Sequence, residues 1–395
     1  LIAVRWQTVL ILACVAGINY ADRTSLSVVY PLLQADLHLS DLQLAAIGTL
    51  FLWSYAIGSL GAGVIADRLP RNRVILWSLV AWSLVTVLSG FARTANELLA
   101  TRVLLGLAEC FYLPAAIALI ADHHPVASRG RALSLHMSGL YVGLVGGGAL
   151  SGYMGETFGW RFGLFVLGGA GLALAVVCQF LLKEVPREPT RRSGRVMGLL
   201  RQRGYLLLAG QAMLIAVGTW MFFNWMPLYF RETFGLSLAM AGLSGTALLQ
   251  VSAVAGYFAG GVLSDRAALK SSDGRLKLMS LCYLLCAPCL LVFLTGGGML
   301  VVGFGVVLFS FLRSVAGSNE TAALCDLIDA RDRATAQSLM NTLNTLAGGA
   351  GVFVAGYLKA DWGLSGVFAG VGVLVVMAAG LVWLCGREVE VTGDR

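Results

Sequence analysis

Twelve times this chain runs through about twenty or more residues with scarcely a charge, at 6–33, 42–66, 72–92, 95–121, 130–155, 160–182, 204–230, 238–264, 276–296, 299–325, 334–358 and 363–385. A helix climbs about 1.5 Å per residue, so about 20 apolar residues cross a hydrocarbon layer roughly 30 Å thick. Inside that layer each backbone N–H and C=O must find its partner within its own segment, which restricts stretches of this length to helices. The spacing predicts an all-α membrane protein of twelve transmembrane helices. Composition excludes a large soluble core: 12% of the residues are charged and 58% hydrophobic, where soluble domains carry roughly 25% charged. The first stretch lacks the short apolar core and small-residue cleavage site of a signal peptide.

The formal net charge is +7, but the placement of the cations argues for a membrane and against nucleic acid. Basic residues crowd into alternate connections: Arg68, Arg71 and Arg73; Arg129 and Arg131; the stretch 187–203; Arg266, Lys270, Arg275 and Lys277; Arg331 and Arg333. The intervening connections hold only Arg93, Arg161, Arg231 and Lys359. This positive-inside pattern puts both termini in the cytoplasm and implies a bacterial cytoplasmic (inner) membrane. Cys282, Cys286 and Cys289 share one helical face with no histidine nearby, so the cysteines read as small buried residues, and no metal or cofactor is expected.

The long connection is 183–203, with Pro186, Pro189 and a run of arginines. It separates 1–182 from 204–395, each with six predicted spans. The halves repeat. Gly63-Val-Ile-Ala-Asp67-Arg68-Leu-Pro-Arg71-Asn-Arg73 follows span 2, and Gly261-Val-Leu-Ser-Asp265-Arg266 follows span 8. Ala127-Ser-Arg129-Gly-Arg131-Ala-Leu-Ser134 follows span 4, and Ala330-Arg-Asp-Arg333-Ala-Thr-Ala-Gln-Ser338 follows span 10. Parallel repeats of this size predict two six-helix bundles related by a pseudo-twofold along the membrane normal, with a site between them. The Asp–Arg loops read as a gate latch (Asp67, Arg68, Arg71, Asp265 and Arg266) or as positive-inside anchors.

Charges inside the spans carry the functional signal. Asp22 and Arg23 sit in the middle of the first stretch, where a charge costs about 2.5–3.5 kcal/mol to insert. They read as a transport or proton site, or as a neutralised pair locking two helices. Arg102 and Glu109 in span 4 are seven residues apart, two helical turns and so on one face. Glu109 reads as a proton carrier or as the partner of Arg102 or Arg23. Arg313 and Glu320 have the same spacing in span 10, but the register differs. Glu109 precedes Asp122 by thirteen residues and Arg313 precedes Asp326 by thirteen. Arg313 therefore stands at the depth of Glu109, and Glu320 lies nearer the cytoplasm among the gating residues. Arg313 and Arg23 are expected to clamp an anion bidentately. Asn341 and Asn344 are three apart in span 11 and suit either a substrate hydroxyl or interhelical bonding. Tyr55, His136, Tyr141, Trp220, Asn224 and Gln250 are weaker candidates. Gly143, Gly146, Gly147 and Gly148, with Gly348, Gly349 and Gly351, mark close helix contacts.

The twelve spans with the duplicated Asp–Arg loop resemble the major facilitator superfamily over the whole chain. Within it, Asn19-Tyr20-Ala21-Asp22-Arg23, Arg102 with Glu109 and then Pro114, and Phe158-Gly159-Trp160-Arg161 resemble the anion:cation symporters, which carry organic acids with protons. The resemblance implies that Asp22 and Glu109 take the proton and that Tyr20 and Arg23 meet the anion, with Arg102 beside them. The chain departs from that family at Arg313 and at Leu140. A second resemblance, through Asn19, Asp22 and Arg23 and the span 4 pair, is to spinster-like lipid transporters. The expected function is a secondary carrier of a small organic anion, a carboxylate such as a sugar acid, moved with protons by alternating access. Its partners would be that anion, protons and the bilayer, and a monomer would suffice. The alternative is an exporter or flippase of an amphiphile such as a lysolipid. No catalytic constellation supports an enzyme.

Overall fold

The computed structural model describes residues 2–184, 196–271, 273–329 and 332–393. The described residues are helical apart from their connections. The order is α1 (Ile2–Val28), α2 (Tyr30–Leu37), α3 (Asp41–Arg68), α4 (Arg71–Gly90), α5 (Ala95–Glu109), α6 (Tyr112–His123), α7 (Val126–Phe158), α8 (Trp160–Leu181), α9 (Val196–Leu199), α10 (Arg203–Phe234), α11 (Leu238–Ala268), α12 (Gly274–Cys289), a 3-10 turn (Leu290–Leu294), α13 (Met299–Leu327) and α14 (Arg333–Gly393). Eleven helical stretches among the described residues are long and apolar enough to cross a membrane, against the twelve expected. The difference lies in α14. Its apolar part, Thr335–Glu388, holds 54 residues, far more than one crossing needs. Gly363 interrupts it at φ 62° and ψ 168°, between the stretches 334–358 and 363–385. That conformation suits glycine and strains residues with a side chain.

Prolines decide where the other expected helices break. Pro31 has no N–H for the Ser27 carbonyl, and the first stretch divides at Val29, whose φ is −97° and ψ 17°. Pro114 cannot donate to the Cys110 carbonyl, and span 4 divides into α5 and α6 immediately after Glu109. Pro288 is followed by the 3-10 turn that completes span 9. Between α2 and α3, Ser40 and Gln43 form a reciprocal cap: the Gln43 N–H donates to Ser40 Oγ at 3.3 Å and the Ser40 N–H to Gln43 Oε1 at 2.9 Å.

The chain forms two compact units, Leu1–Arg191 with Met226–Thr246, and Arg192–Trp225 with Ala247–Arg395. In the first, α1 and α7 meet along small residues. A methyl group added at Gly139, Gly143 or Gly147 would overlap the backbone of Ala13, Gly17 or Ala21 respectively. Both sets recur every four residues, so backbones touch along one stripe of each helix. This contact fixes how α1 is rotated, and with it where Asp22 and Arg23 point. Gly146 has open space beside it and is not part of the stripe. Gly148 approaches Gly242, and Glu156 Oε1 accepts from the Leu238 N–H at 2.7 Å, which holds the start of α11 in this unit. In the second unit Gly348 packs on Trp220 and Gly351 on Val217. Its core gathers Phe222, Phe293, Phe309 and Phe368 with ring centroids 4.7–5.9 Å apart, within the range of favourable aromatic pairs.

The helix ends are tied by ions. Arg71 Nη1 pairs with Asp122 and also donates to the Ala118 carbonyl at 2.9 Å. Arg275 Nη1 pairs with Asp326 at 2.6 Å. In each case the acid follows the arginine by 51 residues, so each unit carries the same bond at the same place in the repeat. At the opposite end of the first unit, Asp36 Oδ2 accepts from Arg161 Nη1 at 2.6 Å and Trp160 Nε1 at 3.1 Å. Arg161 Nη2 donates to the Ala92 carbonyl at 3.0 Å. The end of α2, the connection after α4 and the start of α8 are thereby tied together.

Two outcomes are expected. Gly143→Ala must push α1 away from α7, and overpacking of this kind costs about 1–3 kcal/mol. The detergent-solubilised variant should lose several degrees of Tm, while Gly146→Ala stays within about 0.5 kcal/mol of the parent. The hydrogen bond from Arg161, aided by that from Trp160, holds the Asp36 carboxyl below its ordinary range. A depressed acid contributes stability that is present above its unfolded value of about 3.9 and is lost as pH falls through the folded one. The Tm gap between the parent and Asp36→Asn should therefore be constant near neutrality and close below about pH 4.

Candidate functional site

Four charged side chains from α1 and α5 meet inside the first unit. Arg23 Nε donates to Glu109 Oε2 at 2.9 Å, with side chains only 6% and 0% exposed. The Arg23 guanidinium lies 4.5 Å from the ring centre of Tyr20, 4.7 Å from Tyr55 and 5.1 Å from Phe51. These rings replace lost hydration with their negative faces. Glu109 is the last residue of α5, at the break that Pro114 imposes, so its side chain is held at a helix end.

Asp22 is buried and accepts from Thr86 Oγ1 on α4. Arg102, also buried, donates from Nη2 to Ser89 Oγ at 2.7 Å, and its charge acts on both Asp22 and Glu109. Two acids and two bases thus share a dry space and sum to zero. Desolvating four charges is tolerable only with such compensation. The compensation is incomplete at three atoms: Asp22 Oδ1, Glu109 Oε1 and Arg102 Nε are buried without a hydrogen-bond partner. The first two are lone-pair sites on acids that each have one oxygen engaged and one available.

The expected residues Tyr20, Asp22, Arg23, Arg102 and Glu109 are therefore brought together. Tyr55, a weaker candidate, joins the rings around Arg23. His136 is buried against Tyr112, 3.0 Å from its hydroxyl, and that hydroxyl donates to the Leu12 carbonyl at 2.7 Å. This ties α1, α6 and α7 and makes His136 a packing residue.

The second unit is organised differently. Arg313 donates from Nη2 to its neighbour Ser314 at 3.3 Å, and Glu320 accepts from Gln211 Nε2 at 3.3 Å. Among the described residues neither takes part in an ion pair. Asn341 is exposed and its Oδ1 accepts from Gln337 at 3.1 Å, whereas Asn344 Oδ1 is buried without a partner. The two asparagines therefore sit in different surroundings. Of the loop residues, Arg71 is the one that closes an ion pair. Arg68, Asp265 and Arg266 are exposed, and the Asp67 side chain lies outside the described residues.

Sequence reasoning missed Thr86, Ser89, Phe51 and Gln211. A hydroxyl in a helix that already holds several is not distinctive, and a phenylalanine in a span reads as lipid-facing. Gln211 did carry a signal, since it is an amide in the middle of an otherwise apolar stretch.

Comparison with known proteins identifies the family. The Major Facilitator Superfamily pattern matches residues 12–318 and 208–394. A probable galactarate/D-glucarate transporter of Bacillus subtilis is 31% identical over 298 residues, a match that spans 67% of this chain and 65% of the relative. A probable sulfoacetate transporter of Cupriavidus necator is 27% identical over 90% of this chain and 89% of its own length. Among solved structures, a bacterial homolog of the human lysosomal transporter Spinster, inward-facing and unoccupied, matches with a TM-score of 0.85 at 21% identity, covering 97% of both chains. The chain is an integral membrane protein that belongs to the major facilitator superfamily.

Proposed function

We propose that the protein is a secondary active transporter of a small organic anion, a carboxylate of the sugar-acid type, moved together with protons. The observation that carries this reading is the buried quartet Asp22, Arg23, Arg102 and Glu109. It is neutral when empty, and each of its two acids has one oxygen without a partner. The cargo for which these relatives are named, galactarate/D-glucarate and sulfoacetate, is anionic in both cases.

The chemistry follows from charge balance. Protonation of Glu109 removes its claim on Arg23 Nε. The guanidinium, still cationic and backed by Tyr20, Tyr55 and Phe51, then offers its fork to a substrate carboxylate. Anion and proton arrive together and the site stays neutral, which favours movement through a low-dielectric interior. When the anion leaves, Arg23 recaptures Glu109 and the proton is released. Each ligand thus strengthens the binding of the other. Asp22, held by Thr86 and sensing Arg102, carries a proton on the same logic. Arg313 serves the anion as a second anchor, and Asn341 and Asn344 supply hydrogen bonds to hydroxyls.

In this proposal 1–182 and 204–395 are two six-helix bundles related by a pseudo-twofold, joined by the basic linker 183–203 and working by alternating access. Arg71 with Asp122, and Arg275 with Asp326, act as gate latches together with Asp67, Arg68, Asp265 and Arg266. The chain works as a monomer in the bacterial cytoplasmic membrane with both termini in the cytoplasm, and it is not an enzyme.

The fold likeness to a Spinster homolog favours a second reading, export or flipping of an amphiphile. Proteoliposomes separate the two. An inward proton gradient should drive accumulation of a sugar acid by the parent. Asp22→Asn and Glu109→Gln should lose that drive yet keep anion exchange. Loss of a charge-assisted hydrogen bond costs about 1.5–3 kcal/mol, so Arg23→Gln should weaken anion binding roughly 10- to 100-fold. If no carboxylate moves under any gradient while a labelled lysolipid does, the amphiphile reading replaces the first.

A further inference from the structure

Glu320 differs in kind from the two acids of the first unit. Glu109 is pinned by Arg23 and Asp22 is held near Arg102. Glu320, on α13, meets only a neutral amide: its Oε2 accepts from Gln211 Nε2 on α10 at 3.3 Å. Gln211 is fully buried, and its own Oε1 has no hydrogen-bond partner. Few other groups act on Glu320. Arg313 stands seven residues earlier on the same helix, about 10 Å along the axis. Tyr283 faces it from α12, and Tyr257 on α11 faces Tyr283 in turn.

An ionised Glu320 can make only one bond with Gln211, because a carboxylate accepts and does not donate. It leaves the amide oxygen of Gln211 buried and unsatisfied, at a cost of about 1–3 kcal/mol. A protonated Glu320 removes that defect. Its O–H donates to Gln211 Oε1 while its other oxygen keeps the Nε2 donor, closing a two-bond ring between acid and amide. No other donor stands ready for Gln211 Oε1 among the described residues. A bare metal cation fits less well, since sodium or a divalent ion needs several oxygen ligands, and Glu320 with one amide oxygen supplies too few.

We propose that Glu320 is a third proton-carrying carboxyl of this transporter, placed in the second unit and receiving its proton in a reciprocal bond with Gln211. The sequence register puts Glu320 among gating residues; the pairing with Gln211 gives it a more specific task. The proton is taken up when water reaches Glu320 and is released to water when the acid ionises, and among the described residues Arg313 is the cation whose charge favours release. The proposal rests on the proton-coupled reading of the function, to which it adds one proton per cycle.

The test reads the acid itself and needs no substrate. Infrared spectra of the purified full chain in lipid are recorded across a pH series, in potassium buffer and again with sodium. Protonated carboxyls show a carbonyl stretch that ionised ones lack. The expected result is a titrating acid band that loses one component in Glu320→Gln, a variant that keeps an amide-to-amide bond and so its fold. In Gln211→Leu the same component should persist but move to higher frequency, as for an acid stripped of a hydrogen bond. Glu109→Gln and Asp22→Asn should each remove a different component. An unchanged band in Glu320→Gln would overturn the proposal, and so would bleaching of that component by sodium, which would mark a cation site. In liposomes the reversal potential should report one fewer proton per anion for Glu320→Gln, and an equal ratio in variant and parent would also count against it. If no anion is transported at all, the function assigned above fails while the infrared result still judges Glu320.

Discussion

The Arg23–Glu109 ion pair is the constraint to which the rest of the first unit is fitted. Removing one partner of such a buried pair leaves a bare charge and costs about 3–5 kcal/mol, so both ends need rigid support. Arg23 has it through the Gly139, Gly143 and Gly147 stripe, which locks the rotation of α1 against α7. Glu109 has it through the helix break at Pro114 and through close packing with α3, where Gly106 sits against Phe51, Ser54 and Tyr55 and Gly58 of α3 sits against Cys110 and Leu107. The aromatic rings around the guanidinium then do what water would do elsewhere. The glycines and the proline, read separately, look like packing and kinking residues. Together they set the geometry of one hydrogen bond.

The internal repeat was kept where it holds helices together and altered in the interior of the units. Arg71–Asp122 and Arg275–Asp326 are the same bond in two copies, each spanning 51 residues. Such a bond works locally, between the ends of two helices in one unit, and both units need it. The interior is different. Arg313 occupies the register of Glu109, and among the described residues it has no partner of the kind Arg23 provides. One unit carries a closed set of charges, and in the other Arg313 and Glu320 take part in no ion pair among the described residues. The proposed anion carrier would gain from this asymmetry, because a second balanced quartet would hold no charge in reserve for a substrate.

Much of this was legible in the sequence because hydrocarbon is an unforgiving solvent. Every span has to satisfy its own backbone, so stretches of apolar residues report helices almost directly. For the same reason a charge at mid-span stands out, and Asp22, Arg23, Arg102 and Glu109 were legible that way, whereas Tyr20 entered through the family resemblance. Less legible were features that depend on rotation about a helix axis. Asn341 and Asn344 share a face by spacing, yet one is exposed and bonded to Gln337 while the other has a buried oxygen. Asp122 served only as a ruler for the repeat until the fold placed it on Arg71. Asp36 drew no attention in the sequence, and its bond to Arg161 crosses 125 positions of chain. Pairings at such separations leave no local pattern.

Neutrality connects these features to transport. A site that must face two aqueous sides in turn crosses a low-dielectric state between them, and any net charge it holds there is expensive. With Asp22, Glu109, Arg23 and Arg102 alone the sum is zero. Adding an anion makes it negative, and one proton restores it. A dicarboxylate would require two protons, which the two free oxygens of Asp22 and Glu109 can accept. On the reading proposed above, Arg313 would change this count by one unit of positive charge, and an ionised Glu320 would change it back. Protonation of Glu320 would then decide whether Arg313 is available as a net cation for the substrate. In that proposal the proton on Glu320 and the anion on Arg313 are linked through charge balance and need no direct contact.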